Sequence, residues 1–319
     1  MSEQDPGFLD TKFMVDPYGN WLKAEGASIV SAPSIDLLTV EVKDWARFGM
    51  KGAVCHVDGR CDFLSAFVFE LAVGASSAPV RHIYEEAFYV LSGAGETEVT
   101  LSNGGTHTIA WGEKKMFAVP VNATARHRAK GAAPARFVAL SDFRYLMGLY
   151  RNEAFLFGNS APMHDRQARA LAAGLVVDPV ATAVSQDEMV PLALADMSVG
   201  VDVTALAPKI STLARRQMQG RHILGVDGAG YTLSFDSASS EPTRIDWTHG
   251  TLVGLGPMRF HQHVNAGDAP ARLVSVELGS LSSPMFRSRR AGYGDTEVYA
   301  SGAAVISRSA ERPGVRGAL

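Results

Sequence analysis

The sequence predicts an all-β chain: two tandem β-sandwiches or barrels, with an N-terminal extension and a partly helical linker. Three observations carry this. The first is an internal repeat. Trp111, His127 and Pro134-Ala135-Arg136 return as Trp247, His263 and Pro270-Ala271-Arg272, each 136 residues on, and Gly93 and Gly95 return as Gly228 and Gly230 at 135. One inserted residue reconciles the two offsets, and a unit this long is a duplicated domain, not a solenoid repeat. The second is a succession of short apolar segments separated by turn signals. The third is size: 319 residues are enough for two domains, each with its own core.

Residues 1–60 read as an N-terminal extension packing on the first barrel. Pro17-Tyr18-Gly19 marks a turn, and residues 35–42 are strand-like. Trp21, Trp45 and the neighbouring aliphatic residues need a surface to cover, since exposed they would form a large apolar patch. The first barrel spans 61–145, with strands expected over 63–73, 87–91, 97–101, 106–111, 116–119 and 135–140. Asn103-Gly104-Gly105 is a hairpin turn signal, and Gly93 and Gly95 serve a turn through their tolerance of positive φ. Residues 146–205 form the linker. Within it, 165–174 have helical spacing closed by Pro179, so one or two helices are expected. The second barrel spans 206–285, with strands resuming by Ile210. The tail, 286–319, has no packing pattern near its end.

Composition narrows the function. Hydrophobic residues make up 46% and charged residues 20%, with net charge −3 and no basic run, which argues against nucleic-acid binding. No apolar run reaches the length of a membrane span, and residues 1–13 lack the apolar core of a signal peptide. Cys55 and Cys61 have no second pair to complete a metal site. They read as reduced thiols of a cytoplasmic protein.

The chemistry concentrates in residues 81–95. His82 and Glu86 stand four apart, just before the apolar run 87–91 and the Gly93-Ala94-Gly95 turn. Imidazole and carboxylate together suit a divalent first-row metal, and a strand directs alternate side chains to one face. Tyr84 and Glu85 are candidate proton-transfer residues. Arg81 is a candidate substrate or anion contact.

The pattern H-x3-E-x6-G, followed by a Gly- and Pro-containing strand with a late His, resembles the cupin superfamily over roughly residues 65–140 and 205–278. Phe260-His261-Gln262-His263-Val264-Asn265 with Pro270-Ala271-Arg272 resembles two-domain cupins close to gentisate 1,2-dioxygenases. The resemblance implies two double-stranded β-helix (jelly-roll) barrels and a divalent metal, with iron(II) first and manganese, nickel or zinc as alternatives. Val80 stands where the motif's first His is expected, and Ala125 where the late His is expected. His127 lies two residues beyond Ala125, on the same strand face about 7 Å along. His82, Glu86 and His127 are thus the expected ligands. In the second repeat the aligned positions hold Arg215, Gln217 and Arg221, with His261 and His263 in the late motif. Lacking a carboxylate, these five are expected to bind substrate, the arginines pairing with carboxylate or phosphate.

Three functions follow. One is a metal-dependent enzyme on a small carboxylated or hydroxylated substrate, an iron(II) dioxygenase by resemblance. Another is an isomerase, lyase or hydrolase using the same metal. The third is a non-catalytic cupin that binds a small ligand. A closed homo-oligomer covering the sheet edges is expected in each case.

Overall fold

The computed structural model describes residues 16–57, 63–185, 188–216, 220–236, 240–278, 297–300 and 303–305. Helix α1 (Pro17–Glu25) opens the chain. Strands β1 (Ile29–Ala32), β2 (Ser34–Asp36), β3 (Lys43–Trp45), β4 (Met50–Val57), β5 (Ser65–Leu71), β6 (Val80–Arg81), β7 (Glu86–Ser92), β8 (Ala94–Thr100), β9 (Thr106–Gly112), β10 (Met116–Ala118), β11 (Thr124–Ala129) and β12 (Ala135–Ser141) follow. Helices α2 (Phe143–Tyr150), α3 (Glu153–Gly158) and α4 (His164–Ala173) make up the linker. Then come β13 (Val176–Val177), β14 (Met189–Pro191), β15 (Val199–Leu206), β16 (Ile210–Ser211), β17 (Ala214–Arg216), β18 (Arg221–Asp227), β19 (Ala229–Phe235), β20 (Thr243–Thr248), β21 (Thr251–Leu255), β22 (Phe260–Asn265), β23 (Ala271–Leu278), β24 (Glu297–Ala300) and β25 (Ala303–Val305). No helix among the described residues is long and apolar enough to cross a membrane.

Each barrel is two facing sheets. The first has β1-β4-β5-β12-β7-β10-β13, with β3 on β4, opposite β6-β11-β8-β9. The second has β14-β15-β23-β18-β21-β2 opposite β20-β19-β22-β17-β24-β25, with β16 on β22. The order β5-β12-β7-β10 is repeated as β15-β23-β18-β21, so the sequence repeat is a repeat of topology. Strand β11 carries Ala125 and His127 on one face as expected; its alternation Thr-Ala-Arg-His-Arg-Ala offers no large apolar residue to mark its bounds in the sequence.

The large sheets pack back to back. In β7 Ala87, Tyr89 and Leu91 join an apolar layer that also holds Leu224, Leu252 and Val274 of the second barrel. Phe88 and Val90 face the aromatic interior of the first barrel. Burial on both faces is why this strand reads as a continuous apolar run.

The extension does more than pack on the first barrel. Its β4 is a full member of the first barrel's sheet, and its β2 crosses over to pair with β21 of the second. The linker reciprocates through β13, which pairs with β10 of the first barrel. It holds three helices, and β15 begins the second barrel before residue 206. The extension is pinned by Arg136, whose buried guanidinium donates to the Leu37 and Val40 carbonyls and to Glu70.

The two glycines of the β7–β8 turn have different reasons. Gly93 has φ +79°, a conformation costly for any side chain. Gly95 has no such φ; a Cβ there would collide with the Trp111 indole and the Arg128 carbonyl. Gly228 and Gly230 repeat both arrangements, against Ala271 and Trp247.

Candidate active site

Strands β6, β7 and β11 bring His82, Glu86 and His127 to one cavity in the first barrel. Counted with its opening to solvent it spans about 360 Å³, and its apolar wall includes Phe48, Met50, Phe69 and Phe88. Val80 and Ala125, which replace two expected ligands, line it too. On β11, Ala125, His127 and Ala129 are buried while Arg126 and Arg128 are exposed, so His127 points inward.

The two imidazoles are held in different protonation forms. His82 Nδ1 lies 2.8 Å from the Tyr84 carbonyl, an oxygen that can only accept, so Nδ1 carries the proton. Its Nε2 is 3.0 Å from Glu86 Oε2. A lone-pair nitrogen facing a carboxylate needs a cation between them, either a proton or a metal ion. A ring N–H tied to a backbone carbonyl is the usual support of a metal-binding histidine. Two ligand atoms bound at about 2.1 Å and at right angles lie about 3.0 Å apart. The pair therefore fits two positions of a divalent ion.

His127 fits less well. Its Nδ1 is 2.8 Å from Thr97 Oγ1, which also accepts from Trp111 Nε1 at 2.9 Å. Thr97 is fully buried, and among the described residues its hydroxyl proton has no other acceptor. Leaving that proton unpaired would cost about 1–3 kcal/mol. Thr97 therefore donates to Nδ1, and the His127 proton sits on Nε2. So held, His127 is an N–H donor and not a lone-pair ligand. Burial pushes its pKa down to about 3, and the rings of Phe88, Phe117 and Phe137 surround it. Among the described residues no group of three or more His, Cys, Asp or Glu is placed to hold a metal. The expected third ligand thus shares the cavity without joining the pair.

The other expected residues of this stretch lie outside the cavity. Arg81, between Val80 and His82 in the chain, is not among the residues that line it. Tyr84 is buried, with its ring stacked on His82 at 3.6 Å and its hydroxyl lacking a partner. It backs the histidine instead of facing the site, and burial raises its pKa well above the ordinary value. Glu85 turns toward the second barrel. Its Oε2 accepts from Ser198 N at 2.6 Å, Ser198 Oγ at 2.7 Å and Val199 N at 3.0 Å, and its Oε1 from Arg166. A carboxylate so occupied joins domains and is not available to move protons.

The second barrel repeats the device around its histidine. His263 Nδ1 meets Thr232 Oγ1 at 2.9 Å, and Trp247 Nε1 donates to the same oxygen at 3.2 Å. The same count of protons places the His263 proton on Nε2. The backbone N–H of each histidine is also pinned alike, by Ser77 Oγ and Thr212 Oγ1. Sequence reading missed Thr97, Thr232, Ser77 and Thr212, and used the two tryptophans as marks of the repeat. Yet Thr97/Thr232 and Ser77/Thr212 share the 135-residue offset of the glycines, a signal already in the repeat. Arg215, Arg221, His261 and His263 line one cavity of about 410 Å³. Gln217 lies outside the described residues.

No protein-family model and no curated protein matches this sequence. Solved structures do match. One is the Bacillus subtilis oxalate decarboxylase studied for its Mn(II) centers, at TM-score 0.54 and 12% identity over 78% of each chain. The fold is that of a two-domain cupin. A single-residue mutant of that decarboxylase matches at TM-score 0.55, 11% identity and 78% of each chain. An oxalate decarboxylase structure addressing substrate binding mode matches at 0.55 and 12%, over 78% of this chain and 77% of that one. These matches support the cupin fold without singling out gentisate dioxygenases.

Proposed function

We propose that this two-domain cupin is a metal-dependent enzyme acting on a small carboxylated or hydroxylated substrate in the first barrel. The observation that carries the reading is the His82–Glu86 contact, with Nδ1 of His82 tied to a carbonyl and Nε2 facing a carboxylate. His82 and Glu86 would hold the ion. A divalent ion supplies Lewis acidity and a template for substrate oxygens in its open positions. His127 would donate its Nε2–H to a substrate oxygen, staying neutral at any working pH because of its burial. Phe48, Phe69 and Phe88 keep water from the reacting groups.

The manganese of oxalate decarboxylase favours manganese and a lyase-type reaction. The gentisate-like motif around His261 favours iron(II) and an oxygen-consuming dioxygenase. Turnover with and without oxygen separates the two. The same reading includes a small-molecule substrate and a closed homo-oligomer.

The test is elemental analysis of purified wild type, His82→Ala and His261→Ala, each after reconstitution with Mn(II) or iron(II). The expected result is metal in wild type and in His261→Ala, and at least a ten-fold loss in His82→Ala, since removing one of two ligands removes half the protein's hold. Metal lost only with His261→Ala moves the site to the second barrel. No metal in any of the three sinks the metalloenzyme reading.

A further inference from the structure

The second cavity has a chemistry of its own. Its ionisable lining is two guanidiniums, Arg215 and Arg221, and two histidines, with no carboxylate among the lining residues. Leu213, Leu255 and Met189 form an apolar wall. Arg221 is buried, and its terminal nitrogens are taken by Glu277 and, at 3.5 Å, by Met189 Sδ. Its Nε has no partner, and neither does His261 Nδ1. Unpaired buried polar groups are rare because they are costly, and they call for a ligand or water. The Trp247–Thr232 pair adds the His263 N–H as a further donor.

We propose that this cavity is a metal-free binding site for a small organic monocarboxylate with an apolar tail. Guanidinium and imidazole N–H groups are donors, and a carboxylate accepts from both. Leu213 and Leu255 receive the tail. The unpaired Arg221 Nε and His261 Nδ1 are single donors, and a flat carboxylate can accept from a guanidinium N–H and an imidazole N–H together, which favours it over tetrahedral phosphate. The described lining residues include no carboxylate, and the guanidiniums of Arg215 and Arg221 repel a cation. This site is independent of the metal pair: its failure would leave the first barrel's reading intact, and the reverse holds too.

The experiment uses the full chain stripped of metal with chelator, titrated with benzoate, acetate and inorganic phosphate. Calorimetry and saturation-transfer NMR follow binding. The expected result is saturable benzoate binding, tighter than acetate and tighter than phosphate. It persists in His82→Ala and weakens at least ten-fold in Arg221→Lys and in Arg215→Gln, with circular dichroism confirming the fold. Should Arg221→Lys fail to fold, Arg215→Gln decides. No saturable binding by wild type overturns the proposal. So does phosphate binding more tightly than benzoate, or loss in His82→Ala with both arginine variants unchanged.

Discussion

Glu85→Ala is expected to cost about 3–5 kcal/mol of stability, the range for removing one partner of a buried charged network. The Glu85 carboxylate is the acceptor for two backbone N–H groups, a hydroxyl and a guanidinium. Ser198 and Val199 stand at the start of the second barrel's β15, while Glu85 immediately precedes the first barrel's β7. Its own N–H is held by Asp142 Oδ1 at 2.8 Å. Truncation leaves all these donors facing a void. Urea unfolding should show a lower midpoint in a single transition, because the apolar layer spanning both barrels still couples them. Glu85→Gln keeps an acceptor and should lose less. Arg166→Ala should also lose less, since that side chain is 29% exposed and water replaces part of what it gives. A Glu85→Ala midpoint within about 1 kcal/mol of wild type would show that the apolar layer alone holds the barrels.

The architecture was legible because duplication leaves a mark that needs no structural prior. Trp111 and Trp247, with the glycines before them, located both barrels. The nearness of His82 and Glu86 was legible from their residue types, their spacing and the cupin resemblance together. The rest was not, for physical reasons. Glu85 and Glu86 are indistinguishable in sequence, yet strand alternation sends one to the domain interface and the other to the cavity. Tyr84 looks like an acid–base residue until its ring is found flat on His82. His127 looks like a ligand until its tautomer is known, and that depends on a threonine thirty residues earlier in the chain. The crossover of β2 to the second barrel is a tertiary event; nothing in Ser-Ile-Asp says which sheet edge it will join.

Acid should unfold the protein steeply. His127 and His261 are pushed down to about 3, and His222 and His263 to about 4, all by burial. Unfolded, each would titrate near 6.5. Below that value the unfolded chain takes up protons that the fold refuses, so stability falls with falling pH. Above it these groups are neutral in both states and contribute nothing. Asp142 opposes this. Burial raises it to about 7, so between about 4 and 7 the fold keeps a proton that the unfolded chain releases, and stability there falls as pH rises. His249 is lowered as well and Asp202 raised, so the depressed imidazoles outnumber the raised carboxyls and unfolding takes up protons in acid. Stability therefore declines as pH falls below about 6.5, toward an acid transition. The slope of urea-derived stability against pH measures the proton number directly. His222 belongs to neither proposed site, so His222→Leu should lower the slope by one proton and move the transition to lower pH. An unchanged slope would mean that His222 already carries its proton in the fold. Asp142→Asn, which keeps the acceptor for the Glu85 N–H, should stabilise the protein at neutral pH and leave it no better in acid.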